Sequence, residues 1–507
     1  MSNFTGNDKS GPGNNFIFYG FLFVYAAILI YLSSRLNIWV DEAYTLNTTS
    51  NNFTDVIKQS YGFEGQPPVY FILLSFWRKI SSSIFFARLF SLVFVALAAY
   101  FFHRLARLIS GNNYSRWLLV LFLLNPFTVW AGMEIRLYAF LLFLSVAAIY
   151  FFFSFYNSNK NKYLYLLIST CLVGIYTQYF FAFLIAGFAA SLLLFNGWKV
   201  FFRFCLYMLP VLLLFLPSLF FTPVLTKYVQ TLVAHSATKQ ILSLLQSTQN
   251  LLFALQLIPF ERWLKWAIKI PFIVLLVYAY YKLYRRNKNI NDPYFTNLNR
   301  LLVMIIVFVI LLSCFFGITR VDYQYRYLTI LMPLCALLLS VFNSYDFFKR
   351  QLIYGVISLF YVALLVSNYR QPLKEYDYEL IAKYVEKLEQ KKEPVLFYHS
   401  SISLCFNYYY TGNSTLVPIP HEVRFDSTTY TSDIKDTVEL RQSIEGVNTP
   451  SGSYLLVSDL TEHQSIGNPN QKMVNDYLAA HYNITLDTLY FGRSKHYSFR
   501  IRRLEKK

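Results

Sequence analysis

Eleven times between residues 16 and 367 the sequence turns apolar for about the length needed to cross a lipid bilayer. The runs fall near 16–34, 86–103, 117–133, 137–156, 163–178, 180–197, 204–221, 266–284, 301–318, 327–343 and 352–367. A hydrocarbon core asks for about 20 helical residues, and inside it every backbone amide must find its partner within the chain, which favours helices. Hydrophobic residues make up 56% of the 507 and charged ones 14%, a balance that excludes a soluble globular chain. The pattern predicts an α-helical polytopic membrane protein of about 11 transmembrane helices. Residues 16–34 read as an uncleaved first helix, because the run is long enough to span and the residues before it are polar.

One apolar segment is too short to cross. Val69 to Trp77 lies behind Pro67-Pro68 and ahead of Arg78-Lys79, and it reads as an interfacial helix. Parity tests that reading, since a further crossing there would move every later loop to the other side. With eleven spans and a cytoplasmic N-terminus, the later inner loops hold fourteen Lys and Arg residues and the later outer loops seven. The positive-inside rule favours this arrangement. The formal charge of +18 is therefore a topology signal carried by short loops, and nucleic acid is not an expected partner. Membrane lipids are. The five cysteines, Cys171, Cys205, Cys314, Cys335 and Cys405, have no spacing suited to zinc or to a disulfide framework.

This topology gathers polar groups that had no part in building it. Asp41-Glu42, the Gln66-Pro67-Pro68 turn, Glu134-Ile135-Arg136-Leu137-Tyr138 and Tyr325-Arg326-Tyr327 all fall on the outer face. Carboxylates are costly near hydrocarbon, so a chain that keeps adjacent ones at a span's edge points to chemistry or cation binding there. The same pair could instead serve the N-terminus of a following helix. Likewise Arg136 and Arg326 could bind an anion or pair with nearby acidic residues. From about residue 368 the composition changes, and runs such as Val395–Tyr398 and Tyr454–Val457 predict strands. The expected organisation is a membrane domain over 1–367, with an outer loop at 35–85, and a small extracytoplasmic α/β domain over 368–507. That tail carries no nucleotide loop, HExxH or GxSxG.

Taken in order, the motifs resemble those of the extracytoplasmic glycosyltransferases of the C fold (GT-C), in the branch of protein O-mannosyltransferases and bacterial aminoarabinose transferases, glycosyltransferase families 39 and 83. The resemblance covers residues 16 to about 367. It rests on Trp39-Val40-Asp41-Glu42 opening the first outer loop, Pro67-Pro68-Val69-Tyr70 leading into the interfacial helix, and Met133 to Tyr138 opening the fourth span. Ala87-Arg88-Leu89 and Arg326-Tyr327 add to it. Gln66 departs from the pattern, since relatives often have His or Lys before the Pro-Pro pair.

The resemblance implies transfer of a sugar, on the outer face of a bacterial cytoplasmic membrane, from a polyprenyl-phosphate donor to a hydroxyl of a protein, lipid or envelope glycan. Nucleotide sugars are not expected there, so a lipid must carry the donor. Cleavage at the sugar carbon releases a phosphomonoester, which needs charge stabilisation. Arg326 and then Arg136 are the candidates, because a guanidinium meets phosphate oxygens with paired hydrogen bonds. By resemblance Asp41 is the general base, and a single base implies inversion at the anomeric carbon. Glu42 and Glu134 would orient the acceptor or, with Asp41, bind a divalent metal ion. Gln66, Arg88, Tyr138 and Tyr327 complete the expected substrate contacts. A lipid or solute transporter is the rival class; it would place ionisable residues near the bilayer midplane, whereas here they crowd the span ends.

Overall fold

The computed structural model describes residues 12–220, 236–253, 262–287, 292–319, 323–374, 376–389, 393–425, 434, 436–447, 449, 452–460, 469–492 and 498–507. The first helices are α1 (Pro12–Arg35), α2 (Val40–Thr48), α3 (Phe53–Gly62), α4 (Val69–Arg78), α5 (Ile84–Ser110), α6 (Trp117–Leu124), α7 (Pro126–Met133), α8 (Tyr138–Ser158), α9 (Asn161–Ile175), α10 (Phe181–Asn196) and α11 (Trp198–Phe220). Helices Ala237–Phe253, Arg262–Asn287 and Pro293–Thr319 follow, then a 3-10 segment Tyr325–Leu331 and helices Met332–Leu338 and Phe347–Tyr369. The chain divides into two compact units. Met1–Ser33 and Gly65–Arg370 form the first; Ser34–Glu64 and Gln371–Lys507 form the second. The sequence boundary at 367/368 lies close to the break after Arg370, but the outer loop 35–85 is divided between the units at Glu64.

In the first unit, eight helices among the described residues are long and apolar enough to cross a membrane. The other three expected spans are helical but shorter or broken. Residues 161–175 and 181–196 form helices of 15 and 16 residues. The run 117–133 is two helices, because Pro126 has no amide hydrogen to continue α6 and the Asn125 side chain accepts from the Phe127 amide at 2.9 Å, starting α7 afresh. The Val69 segment is a ten-residue helix, too short to span, as its sequence suggests. α11 runs unbroken through Pro210 and Pro217.

α8 lies at the bundle's centre, nearly all of its residues buried, and it packs on α5 and α9. Small residues allow its neighbours to approach closely. At Gly187 in α10 an added Cβ would stand 3.1 Å from the Cα of Met304 on the helix Pro293–Thr319. At Gly174, in the last turn of α9, it would lie 2.6 Å from the ring of Phe181, which is itself fully buried. Gly174→Ala is therefore expected to cost about 1–3 kcal/mol through overpacking, read as a lower unfolding midpoint in detergent. An unchanged midpoint would show that the ring has room to move.

The second unit is the expected α/β fold. Its five-stranded sheet has the order β2-β1-β3-β5-β4, with β1 Val395–Tyr398, β2 Leu416–Pro418, β3 Ser453–Asp459, β4 Tyr482–Phe491 and β5 Ser498–Lys506. β1 runs parallel to β2 and β3, whereas β5 pairs antiparallel with β3 and β4. β1 and β3 are buried on both faces, which is why they read as continuous apolar runs rather than alternating ones. The core gathers Leu396, Leu456, Leu478 and Leu504. A forked pair of bonds from Arg503 to Glu393, at 3.0 and 3.2 Å, satisfies a carboxylate that is fully buried beside β1.

Candidate active site

Within the first unit, helix ends bring the distant motifs into contact. Arg88, in the second turn of α5, is fully buried, and its Nη1 donates to the carbonyl of Ser33 at 3.2 Å. That carbonyl lies in the last turn of α1, where backbone acceptors lack helical partners and a cation is favoured by the helix dipole. One turn further along α5, Ser91 donates its hydroxyl to the carbonyl of Glu134 at 2.7 Å. Glu134 follows α7 directly and is 3% exposed. Arg136 is buried in the short link before α8, and Tyr138, the first residue of α8, stacks on Trp130 with ring centroids 4.7 Å apart.

Trp130 extends the cluster to the last motif, its ring lying 5.4 Å from that of Tyr325. Tyr325 opens the 3-10 segment that also carries Arg326 and Tyr327, both partly exposed. Tyr327 meets the rings of Phe180 and Phe316 at 5.3 and 5.5 Å. The Pro-Pro turn joins through the backbone, the Val69 amide donating to the Tyr176 carbonyl at 3.2 Å. Gln66 stands just before that turn, and its buried Oε1 accepts no hydrogen bond among the described residues. Buried amide oxygens are seldom left so, and a site for a polar ligand is one physical reason for it. Contacts of neighbouring residues thus link the segments that carry Gln66, Arg88, Glu134, Arg136, Tyr138, Arg326 and Tyr327.

Asp41 and Glu42 belong to the second unit. They occupy the first turn of α2, where the helix dipole favours carboxylates. Neither is the cap, since that position falls to Trp39, whose side chain does not cap the helix. Their surroundings differ sharply. Asp41 is partly exposed; Glu42 is 0% exposed, and its Oε1 lies 2.5 Å from Nζ of Lys374, itself 9% exposed. Removing one partner of such a buried pair generally costs about 3–5 kcal/mol, because a lone charge stays out of water. Thr45 and Thr48 further along α2 donate to Glu64 at 3.5 and 3.4 Å.

Two cations escaped the sequence reading. Lys374 sits in a polar stretch with no motif around it. Lys269 is 1% exposed in the helix Arg262–Asn287, with its Nζ 5.1 Å from the Trp266 ring centroid. A lysine in the first turn of the apolar run 266–284 was the available signal for it. Among the described residues, Arg88, Lys269 and Arg300 are the buried cations of the apolar helices, and each lies within about two turns of a helix end. Among the described residues, no group of three or more His, Cys, Asp or Glu is arranged to hold a metal ion. A cavity of about 550 Å³ between α1, α5 and α6 is lined by apolar residues with Tyr19, Tyr25, Tyr100 and His103, and no candidate site residue borders it.

Long apolar helices around a buried central helix define an integral membrane protein. The model of the family described as dolichyl-phosphate-mannose-protein mannosyltransferase matches residues 65–226, a stretch holding Gln66, Arg88, Glu134, Arg136 and Tyr138. Comparison with curated proteins finds no match. Among solved structures, ArnT from Cupriavidus metallidurans in the apo state superposes with a TM-score of 0.60 at 12% identity, over 97% of this chain and 98% of that one. The same protein bound to undecaprenyl phosphate gives 0.57 at 12% identity, over 95% and 98%. The chain is a membrane protein of the GT-C glycosyltransferase fold, with a small α/β domain at its C-terminal end.

Proposed function

We propose that this protein is an inverting glycosyltransferase that moves a sugar from a polyprenyl-phosphate donor to an acceptor hydroxyl on the extracytoplasmic face of a bacterial cytoplasmic membrane. The observation that carries the reading is the mannosyltransferase-family match over residues 65–226, which contains the buried Glu134-Arg136-Tyr138 cluster and the Pro-Pro turn. The undecaprenyl phosphate bound by the structurally similar ArnT supports a lipid-phosphate donor. The excess of Lys and Arg in alternate loops supports the sidedness.

The chemistry follows from the groups. Asp41 takes the proton of the acceptor hydroxyl as its oxygen attacks the anomeric carbon from the face opposite the phosphate. The bond from that carbon to the phosphate oxygen breaks with its electron pair, releasing a polyprenyl phosphate monoester. Arg326, with Arg136, receives the charge that develops on the leaving phosphate. One base and no paired acid suffice because the phosphate leaves as an anion, unlike the alcohol expelled in glycoside hydrolysis. Glu134, Gln66, Tyr138 and Tyr327 orient the sugar and acceptor.

Purified protein in lipid, given a panel of radiolabelled polyprenyl-phosphate sugars together with membrane extracts as acceptor source, is expected to transfer label from at least one donor with inverted anomeric configuration. Retention of configuration would overturn the mechanism. Absence of both transfer and donor binding across the panel would overturn the function.

A further inference from the structure

Asp41 lies within a stretch that is tied down on both sides by the segment 374–409. Ahead of it, Asn37 is buried; its Oδ1 accepts the backbone amide of Lys374 at 2.7 Å, and its Nδ2 donates to the Tyr376 carbonyl. The next amide, that of Ile38, donates to the Tyr409 hydroxyl at 2.9 Å. Behind it, Glu42 is held by the Lys374 ammonium at 2.5 Å. α2 also packs directly on the short helix Ser401–Phe406. All of these groups belong to the second unit.

Lys374 is the common element, bonding through its backbone to Asn37 and through its side chain to Glu42. An apolar pair of similar volume would hold two segments together as well as a buried ion pair does, often better. What an ion pair adds is register, since only one placement of α2 leaves neither charge alone. We propose that Lys374 is a positioning residue that fixes the first turn of α2, and with it the direction of the Asp41 carboxylate, so that the C-terminal domain serves as the mount for the base. The consequence for catalysis rests on the assignment of Asp41 above; the mount itself does not.

The test uses full-length protein in lipid nanodiscs and hydrogen–deuterium exchange, comparing wild type with Lys374→Met, Lys374→Arg and the charge exchange Glu42→Lys/Lys374→Glu. Lys374→Met is expected to speed exchange of amides 40–48 by roughly tenfold or more while β1 and β3 keep wild-type protection. Lys374→Arg should recover part of the protection and the charge exchange more. If Lys374→Met does not assemble, Glu42→Gln is read in the same way, because it removes one charge and keeps the shape. Unchanged protection of α2, or equal loss in β1 and β3, would overturn the proposal by reducing Lys374 to no role or to a general folding role.

Turnover is the second readout. On any donor that wild type uses, Lys374→Met should lower kcat about tenfold or more with undecaprenyl phosphate binding unchanged, and Lys374→Arg should restore part of it. A parallel rise in KM with kcat intact would overturn the link to the base. A wild type inactive with every donor would count against the function, and exchange would still decide the mount.

Discussion

Asp41→Asn is expected to lower kcat for sugar transfer by about 10²- to 10⁴-fold while undecaprenyl phosphate binds as it does to wild type. The amide matches the carboxylate in shape and keeps its place in the first turn of α2, so the loss isolates proton acceptance. An acceptor hydroxyl gives up its proton only to a base that is ionised at working pH and open to the substrate. Asp41 is partly exposed, as the second condition requires. Its neighbour Glu42 does not, being fully buried against Lys374. Glu42→Gln should therefore act through the placement of α2 rather than through proton transfer. Full activity in Asp41→Asn would remove Asp41 from the chemistry and move the search for a base to Glu134.

Arg326→Gln is expected to cost about 10²- to 10³-fold in kcat, the loss usual when a charged or dipolar group facing developing negative charge is removed. Arg326→Lys should recover only part of it, since an ammonium is a point charge and cannot offer two parallel donors to a phosphate. Its position fits that use. Arg326 is partly exposed on a 3-10 segment whose fold is fixed locally, the Thr329 hydroxyl donating to the Arg326 carbonyl at 2.6 Å, and by aromatic contacts of Tyr325 and Tyr327. Arg136, 8% exposed, makes the useful contrast. Its removal should lower the unfolding midpoint together with the rate, whereas Arg326→Gln should leave the midpoint near wild type. Equal rates for Arg326→Gln and wild type would pass the phosphate role to Arg136.

The two arginines also separate transfer from transport. A transporter would be sensitive at ionisable groups near the bilayer midplane, and among the described residues the buried cations of the apolar helices, Arg88, Lys269 and Arg300, all stand close to helix ends.

Much of the fold is written in local pattern. Hydrophobic runs of sufficient length become helices because lipid leaves the backbone no other partner, and eight of the eleven expected spans have the length and composition to cross. The strands at 395–398 and 454–457 and the short helix after Pro67-Pro68 were legible for the same reason, each depending on its own few residues. The break at Asn125-Pro126 was legible in principle, as a capping residue followed by proline, but the apolar run around it hid the signal. Tertiary structure alone decided the rest. Nothing near Glu42 in sequence announces a partner, and its ion pair with Lys374 arises because two segments 337 residues apart are bonded side by side. Arg88 reads as a charge at a span's edge, yet it is fully buried and its guanidinium donates to a carbonyl in the last turn of α1. The sequence determined which segments are apolar, helical or extended, since those properties are set within a few residues; which charges meet, and which carboxylate of an adjacent pair stays open, is set by long-range packing that no local pattern encodes.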